Sequence, residues 1–222
     1  MAKIKDKVLL VEGFKDLLVI PELVEKGTGL DWGTRKNPIV FIKDKEGVEK
    51  LLKESTISLE MKESGLEIIG IIVDADELPE GRWQSVRNLF IDFFPDLPTE
   101  IPEDGFVVSS RNEDGIKFGA WIMPDNRNNG MMETFLGYLV PDRENNELLK
   151  FAKEVTQQAK AKGAPFTDAH TAKAIIHSWL AWQDEPGPQL HNAIQQNILK
   201  PDNPKAKPFL NWFVDLYELD QS

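Results

Sequence analysis

The chain contains no cysteine. That absence excludes disulfide scaffolds, zinc ribbons and thiol nucleophiles, so any metal ion must be held by oxygen or imidazole. It also lacks an apolar run of the roughly 20 residues needed to cross a bilayer, and its opening residues lead straight into a short strand instead of a signal-peptide apolar region. The expectation is a cytoplasmic protein with no membrane association. Basic residues are scarce: 26 Lys and Arg stand against 37 Asp and Glu, a formal net charge of −11. This balance argues against a general nucleic-acid coat protein, because non-specific binding to duplexes needs cations on the phosphates. It leaves a nuclease open, since a carboxylate-rich site that takes up a divalent ion gains local positive charge. Internal repeats and low-complexity segments are absent as well.

What is present is enough apolar material, 41% of 222 residues, for a sizeable core. Residues 7–11 (KVLLV) form a β-rich run that ends at Glu12-Gly13, and apolar residues then recur at helical spacing from Phe14 to Val24, with Pro21 as a kink or break. Residues 38–43 (PIVFIK) predict a second strand and residues 48–62 a helix. Residues 66–73 (LEIIGIIV) are the most apolar strand, the kind that suits a parallel strand buried on both faces, and they run into Asp74-Ala75-Asp76. A helix over 81–94 and strands over 106–109 and 116–123 follow. Alternating strands and helices predict an α/β fold with a mostly parallel sheet covered on both faces. From residue 131 only helical patterns appear, over 132–140, 146–162, 168–183, 190–199 and 208–219. The expected division is an α/β domain over 1–130 and a helical extension over 131–222 packed on it.

Ligands of open α/β sheets bind outside the carboxyl ends of the strands, and two acidic motifs sit there. Glu12 follows the first strand, and Asp74 and Asp76 close the most apolar one. In extended geometry residues i and i+2 share a side, so both aspartates can face one ion. Mg²⁺ is a hard cation that takes one or two carboxylates together with water and phosphate oxygens. A glutamate from an adjacent strand completes such a site or serves as acid or base. Gly13 permits a sharp turn, and Asp16, one helical turn beyond Glu12, either aims at the same crevice or simply favours the helix N-terminus.

The strings LLVEGFKD and GIIVDADE, separated by two βα units, resemble the Toprim domain of topoisomerases, bacterial primases and the nucleases of the overcoming-lysogenization-defect type. GAWIMPDNRNNGMMETFL and AKAIIHSWLAWQDEPG resemble an uncharacterised family of stand-alone bacterial Toprim-like proteins, the domain of unknown function 3226. The resemblance implies a Toprim-like fold, an acid-base role for Glu12, Mg²⁺ (with Mn²⁺ as substitute) on Asp74 and Asp76, and a function in antiviral defence. In the nuclease branch an acidic residue follows the first glutamate by one turn, which Asp16 matches. That branch also uses a second metal bound partly by a glutamate on a later helix, for which Glu133 is the candidate. Asp125, in MPDN, either joins the metal cluster or caps a turn with Asn126.

Other residues carry weaker signals. His170, Lys173 and His177 share one predicted helix face, where packing or hydrogen bonding competes with a role for Lys173 in stabilising a phosphoryl transition state. Arg82, Arg87 and Arg111 lie at or soon after strand ends, and Arg82 and Arg111 are the candidates for holding a substrate phosphate. Trp179, Trp182, Trp212 and Phe213 are either a stacking platform for unpaired bases or core and interface anchors. The leading expectation is Mg²⁺-dependent cleavage of nucleic-acid phosphodiesters. Its non-enzymatic competitor is a degenerate metal-binding module that engages a protein partner, or a second copy, through the helical tail. A haloacid-dehalogenase-like phosphatase also matches an apolar strand followed by DxD. That family places its DxD on an early strand and a Thr or Val where Leu78 stands here, which argues against it.

Overall fold

The computed structural model describes residues 5–109 and 115–219. Its centre is a five-stranded sheet of β1 (Lys7–Val11), β4 (Phe41–Asp44), β5 (Ile68–Asp74), β6 (Phe106–Ser109) and β7 (Lys117–Met123), in the order β4-β1-β5-β7-β6. β1 pairs in parallel with β4 and β5, and β5 with β7. Only β6 runs antiparallel, on β7 at one edge. A two-stranded hairpin of β2 (Gly33–Thr34) and β3 (Asn37–Pro38) stands apart. Glu12 and Asp74 therefore end neighbouring parallel strands on the same edge of the sheet.

Side chains alternate across each strand, and the alternation separates two cores. Val8 and Leu10 of β1, Ile69, Ile71 and Val73 of β5, and Phe118, Ala120 and Ile122 of β7 face one layer. There they meet α2 (Val48–Leu51), α3 (Glu54–Met61) and α4 (Pro79–Phe90), which contribute Leu51, Ile57, Trp83, Val86 and Phe90. Leu9, Val11, Ile68, Ile72, Trp121 and Met123 face the other layer. That layer is built by α1 (Phe14–Thr28), α5 (Met132–Tyr138), α6 (Glu147–Ala161), α7 (Thr171–Leu180), α8 (Leu190–Gln195) and α9 (Lys207–Tyr217). A 3₁₀ turn, Asp168–His170, leads into α7. The fold is thus α/β, a mostly parallel sheet with helices on both faces and a C-terminal helical region. Among the described residues no helix is long and apolar enough to cross a membrane.

Three elements differ from the sequence expectation. Helix α1 runs unbroken through Pro21, with Val19, Ile20, Leu23 and Val24 buried on either side of it. Burial of that face offsets the roughly 3 kcal/mol that a helix-interior proline costs. The strand expected over 38–43 is divided. Pro38, which cannot donate to a ladder, closes the hairpin, Ile39 N donates to Trp32 O (2.9 Å), and the main sheet begins at Phe41. The helix expected over 48–62 breaks at Leu52 and Lys53. A continuous helix at 100° per residue would put Glu60 opposite the buried Leu51. The break turns Glu60 toward β4, where it accepts from Lys43 (2.6 Å) and Lys45 (2.5 Å).

Candidate functional site

Three local structures build the site. β1 ends at Val11, and Gly13 turns the chain into α1, whose first turn holds Asp16. The Asp16 Oδ2 atom accepts from Gly13 N (3.0 Å), so the carboxylate reaches back over the turn toward Glu12. β5 ends at Asp74, whose backbone N–H donates to Glu12 Oε1 at 2.8 Å. The Asp74 side chain in turn accepts at Oδ1 from Met132 N (2.9 Å), at the start of α5. One chain of hydrogen bonds thus ties β1, β5 and α5 together through two carboxyl groups. In α5 the neighbouring Glu133 is 5% exposed.

The charges in this chain are poorly balanced. Burial pushes the Glu12 carboxyl up to about 7; the Asp74 N–H and Arg82 oppose the rise, and Asp16 and Asp76 add to it. Burial likewise lifts Asp16 to about 6, with Glu133 adding to the rise and the Gly13 N–H, Lys15 and Lys173 opposing it. Asp74 is held well above the usual carboxylate range by burial first, and then by the charges of Glu12, Asp16 and Glu133. Glu12, Asp16, Asp74 and Glu133, distant in sequence, therefore share one electrostatic neighbourhood.

Asp76 stands differently from the expectation. The extended run stops at Asp74, and Asp76 adopts φ 53°, in the left-handed region. Its backbone exchanges hydrogen bonds with Gly130, each 2.9 Å, in an isolated bridge. Its carboxylate pairs with Arg82 in the first turn of α4 (2.5 Å). The pair borders a cleft of about 550 Å³ lined also by Leu78, Gly81, Ser85 and Ala169.

Asp125 is occupied elsewhere. It accepts from Arg127 N (3.3 Å), Asn128 N (2.8 Å), Asn128 Nδ2 (2.8 Å) and the Tyr138 hydroxyl (3.0 Å), and so caps a turn. Asn126 is buried instead, with Oδ1 accepting from Ile122 N and Nδ2 donating to Glu103 O. Arg87 donates to the carbonyls of Leu97 and Pro98. Arg111 lies outside the described residues. Trp212 and Phe213 are core residues, Trp179 is buried with its Nε1 on Asn146 Oδ1, and Trp182 stands 40% exposed against Phe151.

Lys173, on α7, lies 3.3 Å from Glu133 Oε1. Two further residues join it. Lys15, inside the EGFKD string, lies 3.8 Å from the same oxygen. His177 is one turn beyond Lys173, and its pKa is lowered by burial and then by Lys15 and Lys173, against a raising effect of Glu133. The shared face of Lys173 and His177 was legible from their spacing. Its direction, toward α5, depends on how α7 packs. His170 lies in the 3₁₀ turn, where its backbone N–H donates to Thr167 O (2.9 Å).

Among the described residues no group of three or more His, Cys, Asp or Glu side chains is arranged to hold a metal ion. The donor set nonetheless suits a hard cation in type and charge: buried carboxyl oxygens that raise one another's pKa, opposed by Arg82, Lys15, Lys173 and backbone N–H groups. Glu12, Asp16 and Asp74 each commit one oxygen to a backbone N–H, and among the described residues the other oxygen makes no such bond. No curated protein and no solved structure matches the chain significantly. The family described as a protein of unknown function (DUF3226) matches residues 6–218, and the chain belongs to that family.

Proposed function

We propose that the chain is a Toprim-type enzyme that cleaves nucleic-acid phosphodiester bonds with Mg²⁺ held by Glu12 and Asp74, beside the Asp76–Arg82 pair. The observation that carries this reading is the joining of the β1 and β5 carboxyl groups, through the bond from Asp74 N to Glu12, into one buried and underneutralised cluster. A structural ion pair would have brought a cation to Asp74, whose electrostatic neighbours are instead the carboxyl groups of Glu12, Asp16 and Glu133. A divalent cation bound there supplies the missing positive charge and Lewis acidity toward a phosphate. Glu12, with Oε1 committed to the Asp74 N–H, offers Oε2 to take the proton of an attacking water, and a carboxyl that titrates near 7 suits that exchange. Arg82 and Lys173 hold the phosphate oxygens from either side.

The test compares wild type with Glu12→Gln and Asp74→Ala on single- and double-stranded DNA and RNA in Mg²⁺ and Mn²⁺. Cleavage by wild type, reduced at least a hundredfold in both variants, is the expected outcome. No cleavage by wild type, or equal cleavage by all three, removes the enzymatic reading. A second reading is a metal-binding module that recruits a protein, and it draws on the exposed Leu148, Phe151 and Trp182 of the α6–α7 layer. Metal uptake without cleavage would favour it.

A further inference from the structure

The cations near the carboxyl cluster come from opposite faces of the sheet. Arg82 belongs to α4, whose Trp83, Val86 and Phe90 pack in one core layer. Lys15, Lys173 and His177 belong to α1 and α7, whose Val19, Leu23, Ile176 and Trp179 pack in the other. The electrostatics divide in the same way: Arg82 acts on Glu12, while Lys15 and Lys173 act on Asp16. The acidic strand ends thus lie between two basic banks.

We propose that Lys15 and His177, with Lys173, form a second phosphate-binding bank, so that one nucleic-acid strand crosses the sheet edge from Arg82 to this bank. The inference rests on the phosphodiester reading above and narrows its substrate to a chain of consecutive phosphates. A flanking phosphate on each bank leaves the intervening one over Glu12 and Asp74. Lys15 is 58% and Lys173 36% exposed at the side chain, so both ammonium groups reach solvent while the buried Glu133 carboxylate positions them. With its pKa lowered, His177 is largely neutral at pH 7 and contributes a hydrogen bond in place of a charge. The remainder of the strongly acidic chain repels a longer track, so the footprint is short.

Three cationic contacts set a salt dependence. For a single strand, the logarithm of the affinity should fall with the logarithm of salt concentration with a slope of about −2. The full-length protein, in Ca²⁺ without Mg²⁺ or Mn²⁺, is titrated with fluorescein-labelled oligothymidylate and oligouridylate across a NaCl series, and anisotropy is read. Lys15→Gln should weaken binding and make the slope shallower by about 0.7, and Lys15→Arg should restore it. Lys36→Gln, a charge removed from the exposed hairpin turn, should leave it unchanged. The same proteins are then assayed for cleavage in Mg²⁺. If wild type cleaves but Lys15→Gln binds with an unaltered slope, the second bank is refuted and the enzymatic reading stands. If the slopes behave as expected without cleavage, the bank stands and the enzymatic reading falls. Failure of wild type to bind either strand overturns the bank.

Discussion

Three carboxyl groups, those of Glu12, Asp16 and Asp74, hold their protons more tightly in the folded chain than their ordinary values of 4.5, 3.8 and 3.8 allow. A carboxyl raised by folding gives the native state the extra proton, so its contribution favours folding below the unfolded value and turns against it as pH rises through the folded one. For Glu12 the window runs from 4.5 to about 7, and for Asp16 from 3.8 to about 6. Without divalent cations, the melting temperature should therefore fall between pH 5 and pH 8. Glu12→Gln keeps the acceptor for the Asp74 N–H, removes the charge, and should stabilise the protein at pH 8 by on the order of 2–3 kcal/mol, flattening the profile. Mn²⁺ should raise the wild-type melting temperature at pH 8 and leave that of Asp74→Ala unmoved. A profile that rises with pH would show that the cluster is neutralised within the protein. The convergence of Glu12 and Asp74 was legible because each follows an apolar strand, and parallel strands put their carboxyl ends on one edge. The diversion of Asp76 was not, because its backbone sign depends on a bridge to Gly130, more than 50 residues away in sequence.

Among the elements, α9 shows most clearly how residue choice sets packing. Gly70 of β5 and Gly119 of β7 are register partners and leave a notch in the sheet. A Cβ at Gly119 would lie 2.6 Å from Leu216 Cδ2, and one at Gly70 would lie 2.4 Å from the Tyr217 hydroxyl oxygen. That hydroxyl donates to Val8 O (2.8 Å), while Lys7 Nζ donates to Tyr217 O and Lys117 Nζ to Asp215 O, each at 2.6 Å. Two strand lysines thus meet the negative end of the helix. Gly119→Ala should destabilise the protein by on the order of 1–3 kcal/mol in denaturant unfolding, through overpacking. Tyr217→Phe should lose about 1 kcal/mol through the missing bond. An unchanged midpoint in both would mean that α9 is not held in this notch. The helical character of 208–219 was plain from its spacing, but its place on the sheet rests on glycines that a strand pattern marks only as weak points. Similarly, the breaks at Pro38–Phe41 and Leu52–Lys53 follow from partners elsewhere in the chain, Trp32 O and the Lys43 and Lys45 ammonium groups, which strand and helix periodicity do not signal.

At the scale of the whole molecule, the residues after 130 complete both a core and the site. In the layer that contains Leu9, Val11, Ile68, Ile72, Trp121 and Met123 of the sheet, the first 130 residues cover that face with α1 and the segment around Trp32 and Val40, and the region from α5 to α9 supplies the rest of the cover. Without those helices the sheet would show water the apolar side chains that Phe135, Phe209, Trp212 and Leu216 now cover, an exposed face of the kind that drives association. The site loses in parallel: Asp74 Oδ1 gives up the Met132 N–H, and the proposed basic bank gives up Lys173 and His177. A fragment of residues 1–130 should therefore aggregate or remain without cooperative thermal unfolding, as read by size-exclusion chromatography and circular dichroism. A soluble monomeric fragment with a sigmoidal melt would contradict this and make the helices an appendage on a self-sufficient sheet. On the proposed reading the full chain's charge would have a physical role, since −11 spread over the body would repel nucleic acid except where opposite faces bring cations to the sheet edge. The proposed selectivity for the strand ends would follow from where Arg82, Lys15 and Lys173 stand, not from their number.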